Sequence, residues 1–193
     1  MGRWRRRVRR RRRFGQMVNF TRLFRHLFTP PWAWRRAFPP AVLDAVETAI
    51  RESETMHTGE IVFAIENALA PARVWHGVSG RERALQVFAD LRVWDTEANN
   101  GVLIYVLLAD RDIELVADRG IAARVDAAEW EAVARMMEAE FRAGRFETGA
   151  RVGISRVGAL LAQHFPAGDP AAPGGGNPDE LSNRPVIVSG RAR

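Results

Sequence analysis

Five apolar side chains near the start of the chain, Phe20, Leu23, Phe24, Leu27 and Phe28, fall at i, i+3, i+4, i+7 and i+8. That spacing marks one face of a helix, and Arg22, Arg25 and His26 lie elsewhere on the wheel. Pro30-Pro31 ends the helix, and Trp32, Trp34 and Arg35-Arg36 follow, aromatic rings beside cations. Such a segment suits a membrane interface or a protein groove, and it equally suits docking on its own domain. Pro39-Pro40 then opens a helix with Val42, Val46, Ala49 and Ile50 on its apolar face, running to about His57. The compact run 61–65 reads as a buried strand, and 80–91, with Ala84, Leu85, Val87, Phe88 and Leu91, as the next helix. Residues 102–108 are continuously apolar, as in a central strand covered on both faces. Ile113, Leu115 and Ala117 belong to a more exposed strand, so 102–117 form a hairpin. Helices at 127–143, with Trp130, Val133, Met137 and Phe141, and at 148–164, with Val152, Ile154, Val157 and Leu161, close the domain.

The order helix, strand, helix, strand, strand, helix, helix predicts an α/β sandwich. Its first two strands are parallel through a right-handed crossover, and the third is antiparallel. The tail from Pro166 carries Gly174-Gly175-Gly176 and little apolar surface, so it is expected to be disordered. The chain divides into an Arg-rich disordered arm (1–16), an amphipathic basic segment (17–36), one domain (37–165) and the tail (166–193).

Charge sharpens this division. Residues 1–36 hold 13 Arg and no acid, whereas 37–166 hold 13 Arg against 20 Asp and Glu. A basic arm therefore precedes a mildly acidic domain. The arm fits an anionic surface, and nucleic acid is a partner only through it, because the domain lacks a broad basic footprint. Nine of the arginines precede Met17, so their role depends on where translation begins. The longest stretches free of Asp, Glu and Arg are 12 residues, at 98–109 and 157–168, short of the roughly 20 that a spanning helix needs. No apolar run follows the arginines as a signal peptide would require. The expected location is accordingly cytoplasmic and peripheral at the inner membrane. The 193 residues include no cysteine, which excludes disulfides, thiolate catalysis and iron–sulfur ligation.

The chain carries no P-loop, no G-x-S-x-G, no H-E-x-x-H and no G-x-G-x-x-G, and no organic cofactor is implied. His26, His57, His76 and His164 are scattered and read as surface or cap residues. Asp110-Arg111-Asp112 reads as a polar hairpin turn. The strand ends collect polar residues at two poles: Glu66, Asn67, Asp110 and Asp112 at one, Glu60, Asn99, Asn100, Asp118 and Asp126 at the other. Open α/β sheets favour the first pole for ligands. The second has better donors for Ca²⁺ or Mg²⁺, because Asn99-Asn100-Gly101 and Asp118-Arg119-Gly120 are turn sequences able to aim carbonyls and carboxylates together. The plainer reading keeps Asn99-Asn100-Gly101 as a turn and Asp126 as a helix cap.

Gly59-Glu60-Ile61, the run from Asn99 to Tyr105, the run from Val116 to Ile121, Asp126, Phe141, Gly144-Arg145-Phe146 and Gly149 together resemble the TPM domain family over about residues 38–165. The resemblance implies a three-layer α/β/α sandwich with a small mixed sheet, preceded here by a basic N-terminal helix. It also implies divalent-cation binding by Asn99, Asn100, Asp118 and Asp126, with Ca²⁺ or Mg²⁺ as the ion. Some members of the family are acid phosphatases. An Asp commonly precedes the Asn-Gly pair in the family, whereas this chain has Asn99, which lowers the charge offered to a cation. The resemblance further implies membrane-bound TPM or LemA-like partners. The resulting expectation is a membrane-surface interaction module that contacts lipid or a partner through Phe20, Leu23, Phe24, Leu27, Phe28, Trp32 and Trp34. The alternative is a metal-dependent phosphatase.

Overall fold

The computed structural model describes residues 20–168 and 176–189. Three helices come first: α1 (Phe20–Phe28), α2 (Ala33–Ala37) and α3 (Pro40–Glu54). Pro40 stands at the first helical position of α3, where its missing N–H has no partner to lose. Strand β1 (Ile61–Glu66) leads through α4 (Pro71–Trp75) into α5 (Gly80–Asp90). A reciprocal capping box starts α5: Ser79 Oγ accepts from Glu82 N–H while the Glu82 carboxylate accepts from Ser79 N–H. The hairpin β2 (Val102–Leu107) and β3 (Asp112–Ala117) follows, then the single turn α6 (Arg119–Ala122), α7 (Ala127–Arg142) and α8 (Phe146–His164). The one-turn helices α2, α4 and α6 escape any periodicity argument because they are shorter than the repeat that would reveal them.

The sheet has the order β3-β2-β1-β4. β1 and β2 are parallel, from Ile61↔Val102 to Glu66↔Leu107, and β2 and β3 are antiparallel, from Val102↔Ala117 to Leu107↔Asp112. Every residue of β1 and β2 is buried, as a strand covered on both faces requires. Ile61, Phe63, Ile65, Ile104 and Val106 pack with residues of α3, α7 and α8. Val62, Ala64, Leu103 and Tyr105 pack on the other face with α4 and α5. This is the expected three-layer sandwich. α8 lies close to both neighbours because Gly153 meets Met137 of α7 and Gly158 meets Ser53 of α3, where a Cβ would collide with either side chain.

The tail departs from the sequence expectation. Residues Val186–Val188 form β4, parallel to β1 in the register Ala64↔Val186 to Glu66↔Val188. Apolar content did not foretell this, because polar anchors hold the segment. The buried Glu60 carboxylate accepts the N–H groups of Glu180 and Leu181, both at 3.2 Å, and Asn177 Nδ2 donates to the carbonyls of His57 and Gly59. The arm at 1–16 lies outside the described residues, as do 169–175 and 190–193.

α1 docks with the opposite side from the one its apolar pattern invites. Arg22 Nη2 lies 2.7 Å from Asp110 Oδ2, and its Nη1 donates to the Val78 carbonyl. His26 is buried: its Nδ1 accepts the Leu69 N–H at 3.0 Å, and its Nε2 sits 3.0 Å from Asp110 Oδ1, a close but poorly aligned contact. Asn67 Nδ2 donates to the Pro30 carbonyl. Burial works to raise the Asp110 pKa, but the His26 and Arg22 contacts outweigh it and hold the carboxyl at about 2. The clamp therefore stabilises the docked helix above the ordinary Asp pKa and is lost as pH falls through about 2. Replacing Asp110 with Asn should speed amide exchange throughout residues 20–28 by the equivalent of roughly 1–3 kcal/mol, the cost of stranding partly buried donors. The exchange of β1 and β2 should change little.

Candidate functional site

Two regions answer to the residues singled out in the sequence: the rim where β2 begins and β3 ends, and the outward side of α1. At the rim, Asp118 N–H donates to the Gly101 carbonyl (2.9 Å), Gly120 N–H to the Asn99 carbonyl (2.9 Å) and Arg119 Nε to Asn99 Oδ1 (2.7 Å). The two loops thus meet. Glycine is required at position 120, since a Cβ there would come within 2.5 Å of the Asn99 carbonyl oxygen. Asn99 itself has φ +53°, a left-handed conformation that Asn tolerates better than most residues.

Of the four proposed metal ligands, Asn100 and Asp118 are buried and each leaves one oxygen without a partner. Asn100 N–H donates to Thr96 Oγ1 (3.1 Å) and its Nδ2 to the Thr58 carbonyl (3.0 Å), while its Oδ1 is unpaired. Asp118 Oδ1 accepts the Arg119 N–H (2.7 Å), while its Oδ2 is unpaired. A buried acceptor left unmet costs about 1–3 kcal/mol, so each of these oxygens is open to a cation or an ordered water. Asn99 is already occupied by the Arg119 guanidinium. Asp126 caps α7 with an exposed side chain that makes no cap hydrogen bond.

A second carboxylate group lies nearby. Oxygens of Glu54, Glu60 and Asp179 fall within 4.8 Å of one another, with the first two buried and Asp179 exposed. Glu60 belonged to the expected pole. Glu54 ends α3 and Asp179 comes from the tail, where no pattern linked them in sequence. Burial, reinforced by the Glu60 charge, pushes the Glu54 pKa up to about 8, and burial raises that of Glu60. Beside them His57 is buried, against the expectation of a surface or cap position. Its Nδ1–H donates to the Gly59 carbonyl (2.9 Å) and its Nε2 accepts the Ser53 hydroxyl (3.0 Å). Burial holds its pKa down at about 4, so the imidazole is neutral. Ser53 is buried too.

On α1 and the segment after it, Phe20, Phe24, Leu27, Phe28 and Trp32 are 55–73% exposed. Leu23 instead packs against the α5-side core, and Trp34 packs against the other core. Among the described residues, no helix is long and apolar enough to cross a membrane.

These observations define a three-layer α/β domain with a converged oxygen-bearing rim and a helical appendage outside the sandwich. The TPM domain family model (TPM_phosphatase) matches residues 36–160, and the chain belongs to that family. Among solved structures, it is similar to the BA42 protein of the psychrophilic bacterium Bizionia argentinensis, determined by NMR. The two share 29% identity with a TM-score of 0.65, over 77% of this chain and 93% of that one. No curated protein matches the chain. α1 and β4 both fall outside the matched residues.

The raised Glu54 pKa has a stability consequence. The unfolded carboxyl ionises near 4.5 and the folded one near 8, so stability declines as pH rises between these values and the full penalty persists above them. Glu54→Gln should therefore raise the melting temperature at pH 9 by several degrees and change it little at pH 5, as read by thermal denaturation across pH.

Proposed function

We propose that this TPM-domain protein works at an anionic membrane surface, with the outward side of α1 as its lipid contact. The orientation of α1 is the observation that carries the reading: Arg22 and His26 hold the helix on Asp110, and the apolar ridge is left facing solvent. Full burial of each ridge side chain contributes ~1.5–3 kcal/mol, and each basic residue beside an anionic leaflet contributes about 1 kcal/mol. Exposed Arg25, Arg35 and Arg36 flank the ridge. The location that follows is peripheral, on the cytoplasmic side of the inner membrane, with membrane-bound TPM or LemA-like proteins as partners. In co-sedimentation with phosphatidylglycerol-containing vesicles at 0.3 M salt, where distant charges are largely screened, Phe24→Ser/Phe28→Ser should lower binding of the full chain at least tenfold. Unchanged binding by this variant would overturn the assignment.

A second reading, divalent-cation binding at the rim, is favoured by the unpaired Asn100 Oδ1 and Asp118 Oδ2. One carboxylate, an amide and an adjacent Arg119 imply a weak site. Calcium titration followed by amide shifts should perturb residues 99–101 and 118–120 and leave Asp118→Asn unresponsive; shifts spread over surface acids would contradict it. A metal-dependent phosphatase is the narrower alternative at this rim. A bound cation there would polarise water or phosphate, with Asn100 and Asp118 holding it. Turnover of a phosphate ester that disappears in Asp118→Ala/Asp126→Ala would favour that alternative over a binding role alone.

A further inference from the structure

A cavity of about 610 Å³ opens beyond the carboxyl end of β2, between α2, the β2–β3 turn and the junction of α7 with α8. It is at the end of the sheet where parallel strands commonly present ligands, and its size is that of a small-molecule pocket. Its wall is apolar: Ala37, Leu108, Phe141 and Phe146 line it. Phe141 and Phe146 are fixed by packing against each other and against Phe38, with ring centroids 5.1–5.7 Å apart. Three arginines, Arg36, Arg111 and Arg142, also line the cavity.

Charge decides what fits. Arg142 lies 3.5 Å from Glu138, whereas Arg36 and Arg111 are exposed and have no carboxylate partner among the described residues. Two carboxylates also border the cavity. Glu138 is the one that faces Arg142, and Asp112 makes no ion pair among the described residues. Three arginines against two carboxylates leave the lining net positive, and Arg36 and Arg111 are the cations open to an incoming anion. Arginine suits phosphate oxygens, which it binds through fork-shaped hydrogen bonds. The same cavity is bordered by Thr29 and Ala33, in the segment that continues from the exposed ridge of α1. An anionic group at this opening would arrive from the surface on which the ridge rests.

We propose that the cavity receives the headgroup phosphate of an anionic phospholipid. Arg36 and Arg111 take its oxygens, and Ala37, Leu108 and Phe146 take the first methylenes. This deepens the membrane reading and rests on it for the source of the ligand, but the two are separable by experiment. The cavity is tested without any membrane, by titrating the full chain with dihexanoyl phosphatidylglycerol below its micelle concentration and following amide shifts. Parallel arms use dihexanoyl phosphatidylcholine and inorganic phosphate. The phosphatidylglycerol arm should shift Arg36, Arg111 and Phe146 and bind at least tenfold more tightly than either other arm. Arg36→Gln/Arg111→Gln should lose at least tenfold, with its remaining amide spectrum unchanged, and each single variant should lose part of that. Phe24→Ser/Phe28→Ser should bind the soluble lipid like the wild type, whatever it does on vesicles. Three results would each overturn the proposal: no phosphatidylglycerol binding, equal binding by the double arginine variant, or inorganic phosphate binding as tightly as the lipid. The last would assign the cavity to free phosphate.

Discussion

The direction in which α1 faces depends on one carboxylate. Asp110 stands at the turn between β2 and β3 and is reached by Arg22 and His26, two residues on the polar side of a helix that precedes the domain. An amphipathic helix beside an apolar core ordinarily turns its apolar face inward, since that burial is the larger gain. Here the core is already closed by α4 and α5 on that side of the sheet, and the available surface is a carboxylate with a backbone N–H and a carbonyl beside it. A charged, hydrogen-bonded contact satisfies those groups, and the phenylalanines are left outside. The same clamp positions α2 through the short segment 29–32, which brings Arg36 to the opening of the cavity at the end of β2.

The two ends of the sheet carry different polar groups. At the carboxyl end of β1 and β2, each polar group that looked available in the sequence makes at least one structural contact. Glu66 accepts Arg83 Nε at 2.8 Å and Tyr105 Oη at 2.7 Å, Asn67 binds the Pro30 carbonyl, and Asp110 holds α1. At the opposite end two buried oxygens, on Asn100 and Asp118, stay unpaired, and Glu54, Glu60 and Asp179 crowd one another. Unpaired buried oxygens occur at the carboxyl end as well, on Glu66 and Asn67, so the crowded carboxylates rather than the unmet acceptors distinguish the two rims.

Much of the sandwich was legible because its strands are continuous apolar runs and its long helices keep a clear period, as the pattern through Trp130, Val133, Met137 and Phe141 illustrates. The ridge on α1 was legible for the same reason, but its direction was not. Nothing local to residues 20–28 announces Asp110, and a contact between segments so far apart in sequence leaves no periodic trace. β4 was hidden because three apolar residues after a proline look like any loop, and its anchor is the buried Glu60 of another strand. The convergence of Asn99-Asn100-Gly101 with Asp118-Arg119-Gly120 could be read from hairpin register. Which oxygens remain unpaired could not, since Arg119 claims Asn99 through side-chain geometry alone.

The absence of cysteine from the chain allows a single spin label to be placed wherever one is introduced, and this gives the most direct test of the inverted helix. Labels at positions 24 and 23, which leave Arg22 and His26 in place, each in the full chain on phosphatidylglycerol-containing vesicles, are compared for collision with oxygen, which concentrates in the bilayer, and with a water-soluble nickel chelate. On binding, the label at 24 should gain oxygen access and lose nickel access, while the label at 23, on the side packed against the domain, remains shielded from both. A label at 24 that stays open to nickel, with the label at 23 entering the lipid, would contradict the inverted docking.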